Sequence, residues 1–227
     1  MKIGILQTGH VHPDQRPITG DIGPHFSRML DGFGFTFETY LVVDMVFPEA
    51  ITECDGWIIT GSKHGAYEDL PFIPPLEDMI RAVYDADIPL VGICFGHQVI
   101  AQALGGKVEK FNEGWAIGNT EYQWNGETFQ LNAWHQDQVI ERPAEAKVIA
   151  SNAFCENAAL VYGRRAFTVQ PHPEYGRPYI NGLLEHSGKG KIPDAQLDKA
   201  RAGLDAPDDN RKVAAQIARF FKERIIA

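Results

Sequence analysis

One cysteine has the sequence context of an enzymatic nucleophile. Cys94 is the central residue of Gly-Ile-Cys-Phe-Gly at residues 92–96, between an apolar run typical of a strand and a stretch typical of a helix. Glycines two positions before and after a nucleophile allow the sharp strand-to-helix turn that presents its side chain above the sheet. The positive end of the following helix also favours a thiolate. The pattern predicts a nucleophilic cysteine, and the alternative is a structural cysteine that happens to lie between two glycines.

A histidine and a glutamate supply the other two groups that a cysteine nucleophile needs. Residues 170–174 read Gln-Pro-His-Pro-Glu and directly follow a strand-like run. Residues at i and i+2 of an extended chain share one face, and the prolines on both sides of His172 hold the segment extended. We expect His172 to act as the base for Cys94 and Glu174 to fix the tautomer of the imidazole. The alternative is a surface turn in which both side chains are solvated.

A loop of small residues is a candidate for binding the oxygen of a reaction intermediate. The strand-like residues 57–60 are followed by Gly61 and Ser62. A loop at the end of a buried strand can direct backbone N–H groups to the mouth of the sheet. Together with the N–H of Phe95, these groups could form an oxyanion hole.

Two other histidines near these motifs have a second interpretation. His97 lies three residues after Cys94, but a side chain at that spacing leans back toward the preceding turn, which favours a structural, hydrogen-bonded role. His135 precedes Asp137 by two residues. A second Cys–His–Asp set is therefore conceivable, although a polar pair that fixes a loop is the better interpretation.

No metal ion or cofactor is expected. His10 and His12 have a spacing that can ligate a metal, but without a third ligand a polar loop near the site is favoured. The sequence contains neither Gly-x-x-x-x-Gly-Lys-Ser/Thr nor Gly-x-Gly-x-x-Gly, the patterns typical of phosphate-binding loops.

A sheet whose strands end at a common edge must hold the candidate residues. Short apolar strands that alternate with helices indicate a parallel sheet covered on both faces, which binds ligands at the carboxyl ends of its strands. From residue 107 to 170, short alternating strands and a turn signal at Asn125-Gly126 indicate an antiparallel portion. The sequence predicts strands at 2–7, 35–43, 56–60 and 88–93, helices at 24–31, 76–86, 95–104, 194–202 and from about 208–210, and a loop at 8–23.

The composition limits the kind of fold and the kind of partner. The 227 residues are 44% hydrophobic and 22% charged, which suits a single domain over 1–227, with C-terminal helices at about 193–226 as cover. The inner face of the last helix is expected to hold Val213, Ile217, Phe220, Phe221 and Ile225. The net charge of −9 argues against nucleic-acid binding. No apolar run reaches the roughly 18 residues of a membrane span. Three widely spaced cysteines and the lack of a signal-peptide pattern favour a cytoplasmic protein.

Four blocks together resemble the class I (triad) glutamine amidotransferases. They are Ile-Thr-Gly-Ser at 59–62, Gly-Ile-Cys-Phe-Gly-His-Gln at 92–98, Trp-His-Gln-Asp at 134–137 and Gln-Pro-His-Pro-Glu at 170–174. The blocks occur in the order found in the family, over residues 2 to about 185, and the second and fourth are specific. The chain resembles in particular the stand-alone relatives of the GMP synthetase glutaminase domain.

The resemblance implies a fold and a reaction. The fold is a flavodoxin-like open, mostly parallel sheet with helices on both faces and an added small antiparallel portion. The reaction is the hydrolysis of a γ-glutamyl amide through a γ-glutamyl thioester on Cys94. His172 would serve as base and then as acid, and Glu174 would orient it.

The resemblance also implies which residues bind the substrate. Gln98 matches a family position that contacts the glutamate portion, and Trp134, Gln136 and Asp137 belong to the block that matches the loop gripping the same group. The oxyanion loop departs from the family pattern, which usually has Gly-Gly-Pro or Asn-Gly-Pro. Here Ser62 takes the place of the second glycine and Lys63 follows. A backbone N–H can act with either side chain, so the chemistry is retained, while the conformation of the loop does not follow from the resemblance.

Three hypotheses about the activity follow. No synthetase sequence follows in residues 175–227, so the first hypothesis is an autonomous hydrolase of a small-molecule substrate, either glutamine or a γ-glutamyl peptide. The second is a glutaminase subunit that supplies ammonia to a separate synthetase chain. The third is a catalytically silent regulatory module. Neither the leaving group nor the oligomeric state follows from the sequence.

Overall fold

A computed structural model describes residues 1–226, which form one large mixed sheet, one small antiparallel sheet and the helices that cover them. The strands are β1 Lys2–Leu6, β2 Thr36–Tyr40, β3 Gly56–Ile59, β4 Leu90–Ile93, β5 Lys107–Lys110, β6 Ala116–Trp124, β7 Glu127–His135, β8 Asp137–Glu141, β9 Lys147–Ser151, β10 Ala159–Tyr162 and β11 Ala166–Val169. The large sheet has the order β2-β1-β3-β4-β11-β10-β9-β6-β7, and the small sheet pairs β5 with β8.

The first five strands in that order run parallel. β1 pairs with β2 and β3, β3 with β4, and β4 with β11. With β11 counted as the fifth strand, this is the 2-1-3-4-5 order of flavodoxin-like sheets. β10, β9, β6 and β7 continue the same sheet in antiparallel fashion. The α/β fold class expected from the sequence is confirmed.

Helices cover both faces of the parallel strands. They are α1 Arg16–Thr19, α2 Ile22–Met29, α3 Ile73–Asp85, α4 Phe95–Ala103, α5 Arg177–Gly182, α6 Asp194–Ala202 and α7 Asn210–Glu223, and a π-helical turn follows α5 at Leu183–Ser187. Side chains of α3 and α4 pack on Trp57 and Ile59, whereas those of α2 and α7 pack on Ile58. Because successive residues of a strand face opposite sides, the two clusters lie on the two faces of the sheet. No helix in residues 1–226 combines the length and the apolar character of a membrane span.

Two helices begin earlier than predicted. α2 begins at Ile22 because the side chain of Asp21 accepts a hydrogen bond from the backbone N–H of Ile22, so the predicted loop 8–23 is shorter and contains α1. α3 begins at Ile73 rather than at residue 76, because Pro74 and Pro75 occupy its first turn, where no intrahelical N–H is needed.

Two strand and helix ends also differ from the prediction, and one turn agrees with it. β2 ends at Tyr40 because the predicted strand residues 42 and 43 enter a 3-10 turn at Val42–Asp44. α7 ends at Glu223, so the expected position of Ile225 on its inner face is wrong and that side chain is half exposed. The predicted turn at Asn125-Gly126 joins β6 to β7, and both residues have the positive φ angles of a tight hairpin turn.

Candidate active site

Cys94 occupies a strained turn between β4 and α4. Its φ of 52° and ψ of −103° place a residue other than glycine in a sparsely populated region. A β-carbon added at Gly96 would lie 2.2 Å from the carbonyl oxygen of Ile59, and one added at Gly92 would lie 2.5 Å from the backbone of Gly96. The two glycines are therefore required for the turn, which has the geometry expected of a nucleophile elbow.

The pairing of β4 with β11 brings His172 to Cys94. Ile93 is in register with Val169, and the N–H of Cys94 donates to the carbonyl oxygen of Val169 at 2.9 Å. Beyond β11, the N–H of His172 donates to the carbonyl oxygen of Asn132 at 2.8 Å, which fixes the segment to β7. Residues 94 and 172 are far apart in the chain but lie at the same carboxyl edge of the sheet.

His172 is held by Glu174 on one side and lies beside Cys94 on the other. Its Nδ1 is 2.6 Å from Oε1 of Glu174, and both side chains are almost fully buried. Within residues 1–226 its Nε2 has no hydrogen-bond partner. Burial disfavours the charged imidazole, but the charges of Glu174 and Cys94 outweigh it and raise the pKa of His172 to about 10. This arrangement can hold an imidazolium between a carboxylate and a sulfur.

A tyrosine that the sequence analysis missed lies flat on the imidazole. The ring centroids of Tyr175 and His172 are 3.9 Å apart and the planes differ by 4°. Tyr179 packs against Tyr175 at 4.4 Å, and the side-chain nitrogen of Asn210 donates to the backbone oxygen of Tyr175 at 3.0 Å. The only sequence signal for this residue is an aromatic side chain directly after Glu174.

The predicted oxyanion loop lies against the two candidate catalytic side chains. A β-carbon added at Gly61 would lie 2.9 Å from Cε1 of His172 and 3.7 Å from Cβ of Cys94. The hydroxyl of Ser62 donates to the carbonyl oxygen of Thr8 at 2.7 Å, which ties the loop to the segment after β1. The departure from the family pattern at this position therefore adds an anchor. Phe95 is the first residue of α4, so its N–H has no intrahelical acceptor.

Gln98 lies beside Cys94 but uses its amide nitrogen within the protein. This nitrogen donates to the backbone oxygen of Asp137 at 2.8 Å and to the side-chain oxygen of Gln170 at 3.0 Å. The amide oxygen of Gln98 is left for a ligand. Gln170 was not identified as a site residue, although its spacing of two from His172 places both side chains on one face.

The block at residues 134–137 lines the same cavity as Cys94. The indole of Trp134 lies 6.4 Å from that of Trp115, and the amide nitrogen of Gln136 donates to the backbone oxygen of Phe111 at 3.1 Å. Burial raises the pKa of the Asp137 carboxyl, and a hydrogen bond from Tyr67 partly offsets this effect. All three predicted substrate-binding residues of this block are therefore placed at the cavity wall.

The two other histidines near the site are buried and neutral. Nδ1 of His97 is 2.8 Å from the hydroxyl of Thr168, and Nδ1 of His135 is 3.3 Å from the backbone oxygen of Asp137. Burial lowers the pKa of each histidine to about 3. His97 thus has the structural role favoured by the sequence. His135 contacts the backbone of Asp137 rather than its carboxylate, so the second Cys–His–Asp set is not formed.

One group of side chains in the described part of the chain has metal-ligand spacing. Ligand atoms of His12, Asp14 and His186 lie within 4.8 Å of one another at the exposed rim of the cavity. His10 is not part of this group, because its ring nitrogens lie 2.9 Å from Asp21 and 3.0 Å from Asp44. The sequence pair of His10 and His12 therefore does not form a joint ligand set.

Cys94 lies at the floor of a cavity of about 1100 Å³. Residues 10–13, 16 and 17, in the segment predicted as a loop at 8–23, contribute to its wall together with residues 61–65, 67 and 68. The segment after α5 contributes His186, Ser187 and Lys191. Ligand pockets usually have volumes of about 300–1,000 Å³. The cavity can therefore hold a molecule considerably larger than one amino acid.

Comparison with known proteins assigns the family. The sequence profile described as "Glutamine amidotransferase class-I" matches residues 36–179. Gamma-glutamyl peptidase 4 of Arabidopsis thaliana is 30% identical over 216 residues, which cover 88% of this chain and 86% of that protein. A GMP synthase of Staphylococcus saprophyticus is 37% identical over 140 residues, which cover 58% of this chain and 26% of the synthase.

A solved structure supports the same assignment at the level of the fold. The crystal structure of a glutamine amido transferase from Methylobacillus flagellatus superimposes with a TM-score of 0.79 at 23% identity, covering 98% of this chain and 93% of the other. The profile match spans both the elbow at Cys94 and the segment that carries His172 and Glu174. The chain belongs to the class I glutamine amidotransferase family.

Proposed function

We propose that this protein hydrolyses γ-glutamyl amides through a thioester on Cys94. The observation that carries the proposal is the position of His172. Its Nδ1 is bonded to Glu174, and its Nε2 is buried without a partner beside the strained cysteine. A cysteine, a base and a carboxylate in this order are what nucleophilic acyl transfer requires.

In the first half of the reaction, the sulfur of Cys94, whose proton is already held on Nε2 of His172, attacks the γ-carbonyl carbon of the substrate. The N–H groups of Phe95 and the Gly61–Ser62 loop stabilise the oxyanion of the tetrahedral intermediate. His172 then protonates the leaving nitrogen as the carbon–nitrogen bond breaks. The amine departs and a γ-glutamyl thioester remains on Cys94.

In the second half, water attacks the thioester while Nε2 of His172 takes a proton from it. The carbon–sulfur bond breaks, glutamate leaves, and the proton stays on Nε2 beside the released sulfur, which restores the resting site. Glu174 keeps Nδ1 protonated in both halves, so that Nε2 is the nitrogen that faces the reacting groups.

A γ-glutamyl peptide fits the site better than glutamine. The cavity of about 1100 Å³ leaves space beyond the scissile amide that ammonia as a leaving group would not fill. The similarity to a γ-glutamyl peptidase extends over 86% of that protein, whereas the similarity to a GMP synthase covers 26% of the synthase. Both observations support an enzyme that releases an amino acid or a peptide.

The test is a hydrolysis screen of purified protein without any partner, with glutamine, γ-glutamyl dipeptides and glutathione as substrates. We expect glutamate release from the peptides, no release by Cys94→Ala, and unchanged release by the matched variant Cys54→Ala. Cys54 is also buried but lies in the core cluster under α3, outside the cavity. Activity in Cys94→Ala close to that of the parent would refute the mechanism.

A glutaminase subunit is the second candidate, because the chain is also 37% identical to a GMP synthase over 140 residues. The same screen separates the two functions. A subunit that feeds a synthetase would release ammonia from glutamine in preference to cleaving any peptide. Labelling of Cys94 by a glutamine-analogue electrophile, read as a mass shift, would exclude a silent module.

A further inference from the structure

We propose that the cavity contains a carboxylate-binding subsite for the leaving group, formed by Lys63, Lys110 and Lys191. The protein would then select γ-glutamyl peptides whose amine portion carries a free carboxylate. This inference rests on the proposed hydrolysis of γ-glutamyl amides. It further specifies that the leaving group carries a negative charge.

The cavity has the opposite charge balance to the rest of the molecule. The chain carries 21 basic and 30 acidic residues, which gives a net charge of −9. The charged side chains at the cavity wall are four cations and two acids, namely Arg16, Lys63, Lys110, Lys191, Glu68 and Asp137. A basic excess in a cleft of an acidic protein concentrates the electrostatic potential and attracts anions to that cleft.

The ammonium groups of the three lysines have no direct partner in the described part of the chain. None of them forms a side-chain ion pair or hydrogen bond with another group in residues 1–226. Arg16 differs, because its guanidinium lies 2.7 Å from the carboxylate of Asp21. The three ammonium groups are therefore the cations that remain for a ligand.

The two acids of the cavity wall cancel only part of these charges. Glu68 accepts a hydrogen bond from the N–H of Gly65 at 3.0 Å and lies 3.3 Å from Nδ1 of His64. Burial raises the pKa of Asp137, and a hydrogen bond from Tyr67 and the charge of Lys110 partly offset this effect. Lys110 therefore interacts with Asp137, but with four cations against two acids the cavity wall keeps a positive excess.

The lysines line the solvent-exposed part of the cavity that has Cys94 in its wall. Cys94 is 5% exposed at the cavity floor, whereas all three lysines are exposed at its rim. The carbonyl that reacts with the sulfur must sit at the floor, and the oxyanion loop that ends at Ser62 is followed directly by Lys63. A chain that continues from the scissile nitrogen toward the opening therefore comes within reach of flexible ammonium groups.

The test compares γ-glutamylglycine with γ-glutamylglycinamide, which have nearly the same shape and differ in one carboxylate. One exposed ion pair changes binding by about 1.4- to 5-fold, so three pairs together are worth about tenfold. We expect kcat/KM for γ-glutamylglycine to exceed that for the amide by about tenfold at low salt. The triple variant Lys63→Gln, Lys110→Gln, Lys191→Gln should bring this ratio close to one, and 0.5 M salt should lower it in the parent.

Lys147→Gln is the matched control, because Lys147 is an exposed lysine on β9 that does not line the cavity. It should keep the parent's preference for the carboxylate. Equal kcat/KM values for the two substrates in the parent would overturn the subsite while leaving the proposed hydrolysis intact. A triple variant in which kcat/KM falls by the same factor for both substrates would also overturn the subsite, because the lysines would then act on the shared γ-glutamyl portion. Failure to hydrolyse either compound would refute the proposed function and this inference together.

Discussion

Among the buried histidines, His172 is the one whose neighbours favour the protonated form. A histidine as deeply buried as this one would normally be neutral, as His97 and His135 are. His172 differs because it contacts Glu174 and Cys94, which together favour the imidazolium. The resting site is therefore expected to hold a protonated histidine at neutral pH, which supplies the proton that the leaving amine needs.

The pH dependence of kcat/KM should reflect the protonation state of His172. The pKa of His172 is raised to about 10, so its protonated form predominates at neutral pH and is lost as the pH rises through about 10. We expect kcat/KM for a γ-glutamyl peptide to fall on the alkaline side near pH 10. Glu174→Gln should move that fall to lower pH, because it removes the negative charge that holds the proton, and should reduce activity less than His172→Ala does.

The control for this profile is Glu185→Gln, which removes an exposed carboxylate without touching His172. Circular dichroism at each pH separates loss of activity from loss of structure. If the alkaline limbs of the parent and of Glu174→Gln coincide, Glu174 does not act on the protonation of His172.

Tyr175 is expected to position His172 and to stabilise its charge. The stacked ring excludes water from one face of the imidazole and offers a π-system to the cation, an interaction worth about 2 kcal/mol in a buried site. Tyr175→Leu should lower kcat by roughly tenfold with little change in KM and should shift the alkaline limb down by about one pH unit. Tyr175→Phe keeps the ring and should behave like the parent. Equal pH profiles for all three proteins would leave Tyr175 with a packing role only.

Among the elements, the turn between β4 and α4 is where sequence and structure agree most closely. The two glycines were identified as space for the turn, and the close approach of Gly96 to the backbone of Ile59 gives the reason. The local part of this constraint is visible in the sequence, because Gly92 and Gly96 approach each other within the turn itself, whereas the approach of Gly96 to Ile59 on β3 is a long-range contact.

Gly96→Ala should therefore destabilise the protein. The added carbon would overlap the carbonyl oxygen of Ile59 at 2.2 Å, and β3 would have to move away from α4. Overpacking of this kind costs about 3 kcal/mol, which lowers Tm by about 6–12 °C for a chain of this size. Gly203→Ala, at the end of α6, where the nearest atom to an added β-carbon is 3.6 Å away and φ is −89°, should change Tm by less than about 2 °C. Equal Tm values for the two variants would contradict the steric account.

Features that depend on contacts across the sheet could not be predicted. The antiparallel portion was expected from its alternating pattern, but the insertion of β11 beside β4 follows from long-range pairing. The same pairing gives Thr168 and Gln170 their partners on α4, His97 and Gln98. A sequence pattern shows that such residues share a face and gives no indication of what faces them.

At the level of the whole molecule, the sequence predicted the element types and their order well and their ends less well. Each misplaced end has a local cause, such as the cap at Asp21 or the prolines in the first turn of α3. On α7, Val213 and Ile217 of the predicted inner face are fully buried in the cluster that also contains Phe26.

The contacts that α7 makes with both the sheet and the site predict that the protein unfolds cooperatively. Phe220 of α7 is fully buried against Phe167 of β11, the strand that leads to His172. At the start of α7, Asn210 donates to the backbone of Tyr175, and the carboxylate of Asp209 accepts from the N–H of Gln130 at 2.8 Å. The helix therefore shares one core with the parallel strands, and we expect residues 1–226 to behave as a single domain.

Calorimetry should accordingly show one unfolding transition, with activity lost at the same temperature. Phe220→Ala removes a buried aromatic ring at a cost of about 3–5 kcal/mol, which corresponds to a fall in Tm of about 6–20 °C. The temperature of the calorimetric peak and the temperature at which activity is lost should decrease by the same amount. Arg219→Ala removes only an exposed pair with Glu223 on the same helix and should leave both nearly unchanged. An enzyme that stayed active above a first transition would show that α7 unfolds separately, because the site would then be stable without the helix that covers β11.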